Sequence, residues 1–282
     1  MQCSQNTKQR AKLKVYCKTV LKYAKPNGHG AVPVDVTIYD GREETGLSFD
    51  RNGFELLKLK SNVTNWFDRD DIDKHHYDEI EAFAKSRTKC DWVLFYPAII
   101  RSPQLAKDEV DLGPIKLAHS DYTDSYWSMI SEPTHPYVEI LRPSMERAQI
   151  DCSDIAKASR ILTIQIWRNI GTQVPDYPLC LGDTRSFARS DLMPRLKPTY
   201  AGRKAGFRSF VLLSDGNIDQ HQWFTFPMLD IDEVLLFRAY DSELVAKNIP
   251  YWTPHCAFRD VNAPEDASGR KSVETRIICG FR

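Results

Sequence analysis

The chain has no Cys-X-X-Cys pair, no run of 18 consecutive apolar residues, no internal repeat, no long Gly/Ser linker and no surplus of charge of either sign. Each absence removes a class of protein. The seven cysteines, at positions 3, 17, 90, 152, 180, 256 and 279, are scattered and odd in number. They do not fit a disulfide framework and read as reduced thiols. Without a long apolar run, or an apolar segment behind the N-terminal charges, neither a membrane helix nor a secretory signal is predicted, and a cytoplasmic setting is expected. Lys+Arg and Asp+Glu both number 38. No global field therefore draws the protein to nucleic acid or an anionic membrane, and the expected partner is a small molecule.

Locally the balance breaks once. Residues 1–25 carry seven Lys/Arg and no acid, which fits either a targeting or nucleic-acid arm or an edge strand. The alternation in "LKVYCKTVLKY" favours an edge strand with its lysines in water. Asn62-Val63-Thr64 matches a glycosylation sequon, read as chance in a chain with no secretion signal.

What is present is enough apolar content, 42%, for a sizeable core. No domain boundary is visible, so one domain over 1–282 is expected, with an N-terminal α/β layer over 1–90 and a jelly-roll core over 91–282. Asn27-Gly28, Asp40-Gly41 and Asn52-Gly53 mark turns. "DRDDIDKHHYDEIEAFAKSR", acidic at its start and basic at its end, predicts a surface helix aligned with its macrodipole. From Asp91 onward come short β-rich runs: "WVLFYPAII", "PIKLAHSDYT", "YVEIL", "RILTIQIW", "YPLCL", "FRSFVLL", "QWFTF", "EVLLFRAY", "HCAF" and "VETRIICGF". So many strands with Pro and Gly between them predict a mainly β fold, an antiparallel double-stranded β-helix with flanking helices. In "SDIAKASRILTIQIW" a short helix is expected to run into a strand.

His119-Ser120-Asp121 lies in one of the extended segments, where residues i and i+2 project to the same face and can reach one metal ion. His76-Tyr77-Asp78 has the same spacing inside the predicted helix, where the two side chains diverge and are expected to face water. A third ligand is needed. Of the remaining histidines (29, 75, 76, 135, 221 and 255), His221 and His255 sit in late β-like segments. His255 is preferred because Arg270-Lys271-Ser272 follows it at the start of the last strand. A guanidinium and a hydroxyl on one strand face can hold a carboxylate, such as the distal one of 2-oxoglutarate. Arg276, on the same face by period two, is the alternative clamp. Two imidazoles and a carboxylate with open positions suit non-haem iron(II) better than zinc.

Alternation in "RILTIQIWRNI" puts Thr163, Gln165 and Trp167 on one face and Leu162, Ile164 and Ile166 on the other. Tyr122, Thr123, Trp127, Gln165, Trp167 and Arg168 are the candidate lining of a substrate pocket, with Tyr126 near the same mouth.

These residues form a pattern. "DGREETGLSFDRNGFELLKLKSNVTNWFD", "HHYDEIEAF", "HSDYT", "IQIWRNI", "VPDYPLCLGD", "HQWFTFPMLDIDEVLLFRAYDSE" and "PHCAFRDVNAPEDASGRKSVETR" resemble the fungal and bacterial 2-oxoglutarate oxygenases related to gibberellin desaturase and the cephem 7α-methoxylase component. The last block is the most specific, joining Pro-His to an R-x-S and a following Glu-x-Arg. The resemblance implies a double-stranded β-helix, iron held by His119, Asp121 and His255, 2-oxoglutarate near Arg270, and hydroxylation, desaturation or cyclisation of a specialised metabolite with dioxygen. Gln165 and Trp167-Arg168-Asn169 stand where the family leads one to expect Asn and Trp-Arg-Pro, which bears on the choice of substrate. Two other readings fit the fold: a cupin-like metal enzyme that does not use 2-oxoglutarate, and a non-catalytic jelly-roll binding protein.

Overall fold

The computed structural model describes residues 13–200 and 203–282. The lysines and arginine of the N-terminal segment before residue 13, and Cys3, lie outside the described residues. Two antiparallel-rich sheets face each other as a double-stranded β-helix. In spatial order the larger holds β1 (Val15–Ala24), β2 (Ala31–Asp40), β11 (Trp223–Thr225), β8 (Leu179–Gly182), β13 (His255–Ala257), β6 (His119–Ser120), β10 (Arg203–Leu212) and β9 (Leu192–Tyr200). The smaller holds β3 (Phe54–Lys58), β12 (Glu233–Asp241), β7 (Arg160–Asn169), β14 (Ser272–Phe281) and β4 (Trp92–Phe95), with β5 (Ile99–Arg101) also paired to β14.

β1 is indeed an edge strand, with Lys18 and Lys22 exposed. Its neighbour β2 carries the N-terminal hairpin into the larger sheet through β11, while β3 joins the smaller one through β12. The turn between β1 and β2 places Gly28 at φ 75, a left-handed conformation that glycine adopts without a Cβ penalty.

The charged segment forms the helix Arg69–Thr88, capped by Asp68, with Asp70 and Asp71 in its first turn and Lys85 and Arg87 in its last. This helix lies on the outer face of the smaller sheet. Ile80 and Ala84 pack there with Leu162, Ile164, Ile166, Ile277 and Cys279, the apolar face that alternation assigned to β7. His76 is consequently not in water as expected. It is buried, its Nε2 lies 2.8 Å from Thr275 Oγ1, and only Asp78 of the helical H-x-D reaches solvent, paired with Arg147. Amphipathic helices bury one stripe, and His76 falls on it with Ile72 and Ile80.

Burial, reinforced by the nearby Arg168 cation, lowers the His76 pKa to about 4. The sign follows: an unfolded-state histidine titrates near 6.5, so the unfolded chain binds this proton first as pH falls. Stability is fully present above pH 6.5 and is lost as pH falls toward 4, by about 3 kcal/mol when the shift is converted at 1.36 kcal/mol per unit. Urea unfolding at pH 4.5 and 7.5 is expected to show a smaller acid loss in His76→Gln than in wild type. Equal losses would refute the assignment.

A second expectation is corrected. "YVEIL" is not a strand but the start of the helix Val138–Ala148, in which Val138, Leu141 and Met145 repeat at helical spacing toward the core. β-branched and aromatic residues favour strands only weakly, and packing of this stripe overrides that preference. The short helix before β7 is present as Cys152–Lys157, closed by a capping box at Asp151 and Asp154.

Candidate metal and cosubstrate site

β6 and β13 are neighbours, and His119 is the direct register partner of His255. Side chains paired across antiparallel strands share a face, so strand pairing brings together two imidazoles far apart in sequence. Their ring centroids are 4.3 Å apart. Asp121 follows just past β6, and its Oδ1 lies 3.9 Å from His119 Nε2 and 3.8 Å from His255 Nε2. Among the described residues these three are the cluster of donors able to hold a metal ion, and all are buried.

Each imidazole is oriented through its other nitrogen. His119 Nδ1 lies 2.7 Å from Leu117 O, and His255 Nδ1 lies 3.0 Å from Thr253 O. A carbonyl can only accept, so each Nδ1 carries the proton and each Nε2 offers a lone pair toward Asp121. Burial, and then the neighbouring His255, lower the His119 pKa to about 3, so its ring is neutral. Phe237 packs against His255 with centroids 4.8 Å apart.

The carboxylate is held from the opposite sheet. Arg276 of β14 donates through Nη2 to Asp121 Oδ1 at 2.8 Å and through Nε to Asp121 Oδ2 at 3.1 Å, and Nε also reaches Gln165 Oε1 at 2.9 Å. Burial pushes the Asp121 pKa upward, but the Arg276 guanidinium, bonded to both of its oxygens, outweighs it and holds the group well below the carboxylate range.

One layer further along the same face, Arg101 grips Glu274 with Nη2 to Oε1 at 2.9 Å and Nε to Oε2 at 3.2 Å. Burial raises the Glu274 pKa, but Arg101 and Arg276 prevail and bring it to about 2.

His119, His255, Gln165, Trp167, Arg101, Arg270, Glu274 and Arg276 line one narrow cavity. Arg270 is fully buried there, its guanidinium 5.6 Å from the Trp167 ring and its Nη1 3.3 Å from Tyr177 O. Burial, then the like charge of Arg101, lower its pKa to about 10. Arg270 Nε, Ser272 Oγ and Trp167 Nε1 are buried without a hydrogen-bond partner. Unpartnered polar atoms are costly inside a protein, and those at a cavity are explained most simply by a ligand that satisfies them.

The other sequence candidates divide. Tyr122 is buried close by, 5.9 Å from the Arg276 guanidinium, and stacks on Tyr126 at 3.9 Å. Thr123 bonds Ser125 Oγ at 3.0 Å. Trp127 turns its indole to Ile155 O at 2.9 Å, on the helix before β7. Arg168 departs from its expected pocket position. It stacks 5.3 Å from Trp66 and donates to Leu59 O and Ile231 O on the outer side of the smaller sheet. Period two predicts that placement, since Arg168 shares parity with Ile164 and Ile166. His221 has both nitrogens occupied, by Tyr23 OH at 3.0 Å and Asp191 Oδ2 at 3.2 Å. Arg101 and a role for Glu274 were missed by sequence reasoning, although Glu274 shares the period-two face of Ser272 and Arg276.

A protein-family model described as "Oxidoreductase/YMDC permease-like domain" matches residues 3–280. Similar curated proteins include "Alpha-ketoglutarate-dependent dioxygenase phiK" of a fungal sp., 26% identical with 93% of this chain and 95% of that protein covered. Another is "Fe(II)/2-oxoglutarate-dependent dioxygenase nvfI" of Aspergillus novofumigatus, 26% identical over 87% of this chain and 83% of that protein. Among solved structures, "iron and alpha-ketoglutarate-dependent endoperoxidase NvfI" superposes with a TM-score of 0.75, covering 95% of this chain and 98% of that one at 19% identity. That likeness supports the double-stranded β-helix.

Proposed function

The chain belongs to the family described as oxidoreductase/YMDC permease-like domain, and from that membership we propose that it is an iron(II)- and 2-oxoglutarate-dependent oxygenase of one domain over residues 1–282. Its substrate is a small-molecule specialised metabolite that it hydroxylates, desaturates or cyclises with dioxygen. One observation carries the reading: His119 and His255, two of three convergent donors, line a cavity that also contains the buried Arg270 guanidinium, whose Nε lacks a partner. The two curated relatives, each named a 2-oxoglutarate- (alpha-ketoglutarate-) dependent dioxygenase, support it.

In this reading His119, Asp121 and His255 hold the iron through two neutral imidazoles and an ionised carboxylate, the donor set of a site with open positions. Arg270 and Ser272 hold the distal carboxylate of 2-oxoglutarate. When bound, iron and 2-oxoglutarate together supply the oxidising power for cleaving an unactivated C–H bond. Arg276 keeps Asp121 oriented and charged. Trp167, Leu179 and Phe237 wall the cavity and limit water in it. Tyr122, Thr123, Gln165 and Trp167 stay as candidates for contact with substrate, whereas Arg168 does not.

Among the described residues no helix is long and apolar enough to cross a membrane. Six cysteines are buried free thiols, in keeping with a reducing, cytoplasmic setting.

Anaerobic titration of the protein with iron(II) and 2-oxoglutarate tests the reading directly. A visible metal-to-ligand charge-transfer band is expected only when both are present. Iron bound without that band would favour the cupin-like alternative, and no iron bound would leave a non-catalytic jelly roll.

A further inference from the structure

The hairpin formed by β9 and β10 has an inverted pattern. On β9, Pro194, Leu196 and Pro198 are exposed, Leu196 at 60%, while Arg195 and Lys197 between them are half-buried. Apolar residues outward and cations inward is the reverse of what burial favours.

Register shows where the inward face points. Lys197 pairs with Phe207 and Arg195 with Ser209, while Val211 on the same β10 face pairs with His119. The two cations therefore share the inner sheet face with the candidate metal histidines. Phe207, 6.1 Å from Tyr122 and 4.9 Å from Tyr137, supplies an aromatic wall beside them.

Among the described residues neither cation is within ion-pairing distance of a carboxylate, and the nearby acids are otherwise engaged. Asp111 accepts the Thr199 hydroxyl at 3.0 Å, and Asp121 is held by Arg276. Ser209 Oγ, directly opposite Arg195, is buried without a partner. Edge strands do use inward charges to block aggregation, but Pro194 and Pro198 already interrupt this edge.

We propose that Arg195 and Lys197, with the Ser209 hydroxyl, receive an anionic group of the substrate, so that the natural substrate is a carboxylate-bearing small molecule with an apolar body against Phe207 and Tyr122. The inference deepens the oxygenase reading and rests on it only in calling the bound anion a substrate. A guanidinium and an ammonium beside a hydroxyl can satisfy the oxygens of one carboxylate, and the like charges stop repelling once it sits between them.

The test uses 1-naphthoate and its neutral isostere 1-naphthamide as probes, titrated calorimetrically into protein loaded with manganese(II) and saturating 2-oxoglutarate. The acid is expected to bind at least about tenfold more tightly than the amide, as one charge-assisted hydrogen bond implies. Arg195→Met and Lys197→Met should each remove most of that preference, Lys197→Arg should retain it, and amide binding should not change. The preference should also survive in Arg270→Met, which separates this site from the 2-oxoglutarate clamp. Equal binding of the two probes, no binding of the acid, or an undiminished preference in both methionine variants would overturn the proposal. Failure of 2-oxoglutarate to bind in the same calorimeter, with the Lys197-dependent preference intact, would instead overturn the oxygenase reading alone.

Discussion

Alanine in place of His255 is expected to abolish the visible band that iron(II) and 2-oxoglutarate produce together, and with it all 2-oxoglutarate turnover. The substitution removes the imidazole whose Nε2 stands 3.8 Å from Asp121 and opposite His119. Two donors then remain on one short segment, His119 and Asp121, and two donors do not define an iron site. Losing a partner that merely supports a metal ligand weakens affinity 10–100-fold as a rule, so losing a ligand itself should exceed about 100-fold. The fold should survive, because Asp121 stays clamped by Arg276. A cavity beside Phe237 costs a few kcal/mol at most, roughly the range for large-to-small core changes. His221→Gln is the matched control. Its imidazole is already shared between Tyr23 and Asp191, so that variant should lose stability but keep the band. An unaltered band and iron affinity in His255→Ala would remove His255 from the site.

The second large effect comes from Arg270→Met and has two opposite signs. In the cavity Arg101 is paired with Glu274 and Arg276 with Asp121, which leaves Arg270, among the described residues, as the cavity's buried cation with no carboxylate. Methionine of similar length should therefore stabilise the ligand-free protein by about 1–3 kcal/mol, as replacement of buried charge by apolar side chains often does. The same change should weaken 2-oxoglutarate binding on the order of 100-fold or more, the cost of truncating a buried charged hydrogen-bonding partner. Thermal melting with and without iron(II) and 2-oxoglutarate reads both effects. The variant should melt higher than wild type alone and gain little from the cosubstrate. A wild-type gain in the variant would shift the clamp to Arg276. That alternative is weaker on the geometry, because Arg276 is already bonded to Asp121 and Gln165, and replacing it should disturb the metal carboxylate first.

Much of this was legible in the chain because strand and helix periodicity are local. Alternation separated Thr163, Gln165 and Trp167 from Leu162, Ile164 and Ile166, and the structure puts the second set under the helix Arg69–Thr88. The same rule, applied one residue further, would have turned Arg168 outward. H-x-D spacing served where the backbone is extended, at His119, and not where it is helical, at His76. The burial of His76 was hidden because a charged helix of low overall hydrophobicity gives little sign of which stripe it buries. "YVEIL" misled because so short a segment, apolar but for Glu139, fits either period.

By itself, then, the sequence determined the alternating faces, the edge strand and the capped surface helix, and it supplied the candidate donors: His119 with Asp121, His255, and Arg270 with Ser272. These depend on neighbours along the chain, whose relative directions follow from backbone geometry alone. Tertiary structure alone decided that His255 stands opposite His119, that Arg276 serves Asp121 while Arg270 is left without a carboxylate among the described residues, and that Arg195 and Lys197 share a face with His119 and His255. Those facts depend on which strands lie side by side, and strand order is set by burial summed over the whole core, which no local pattern contains.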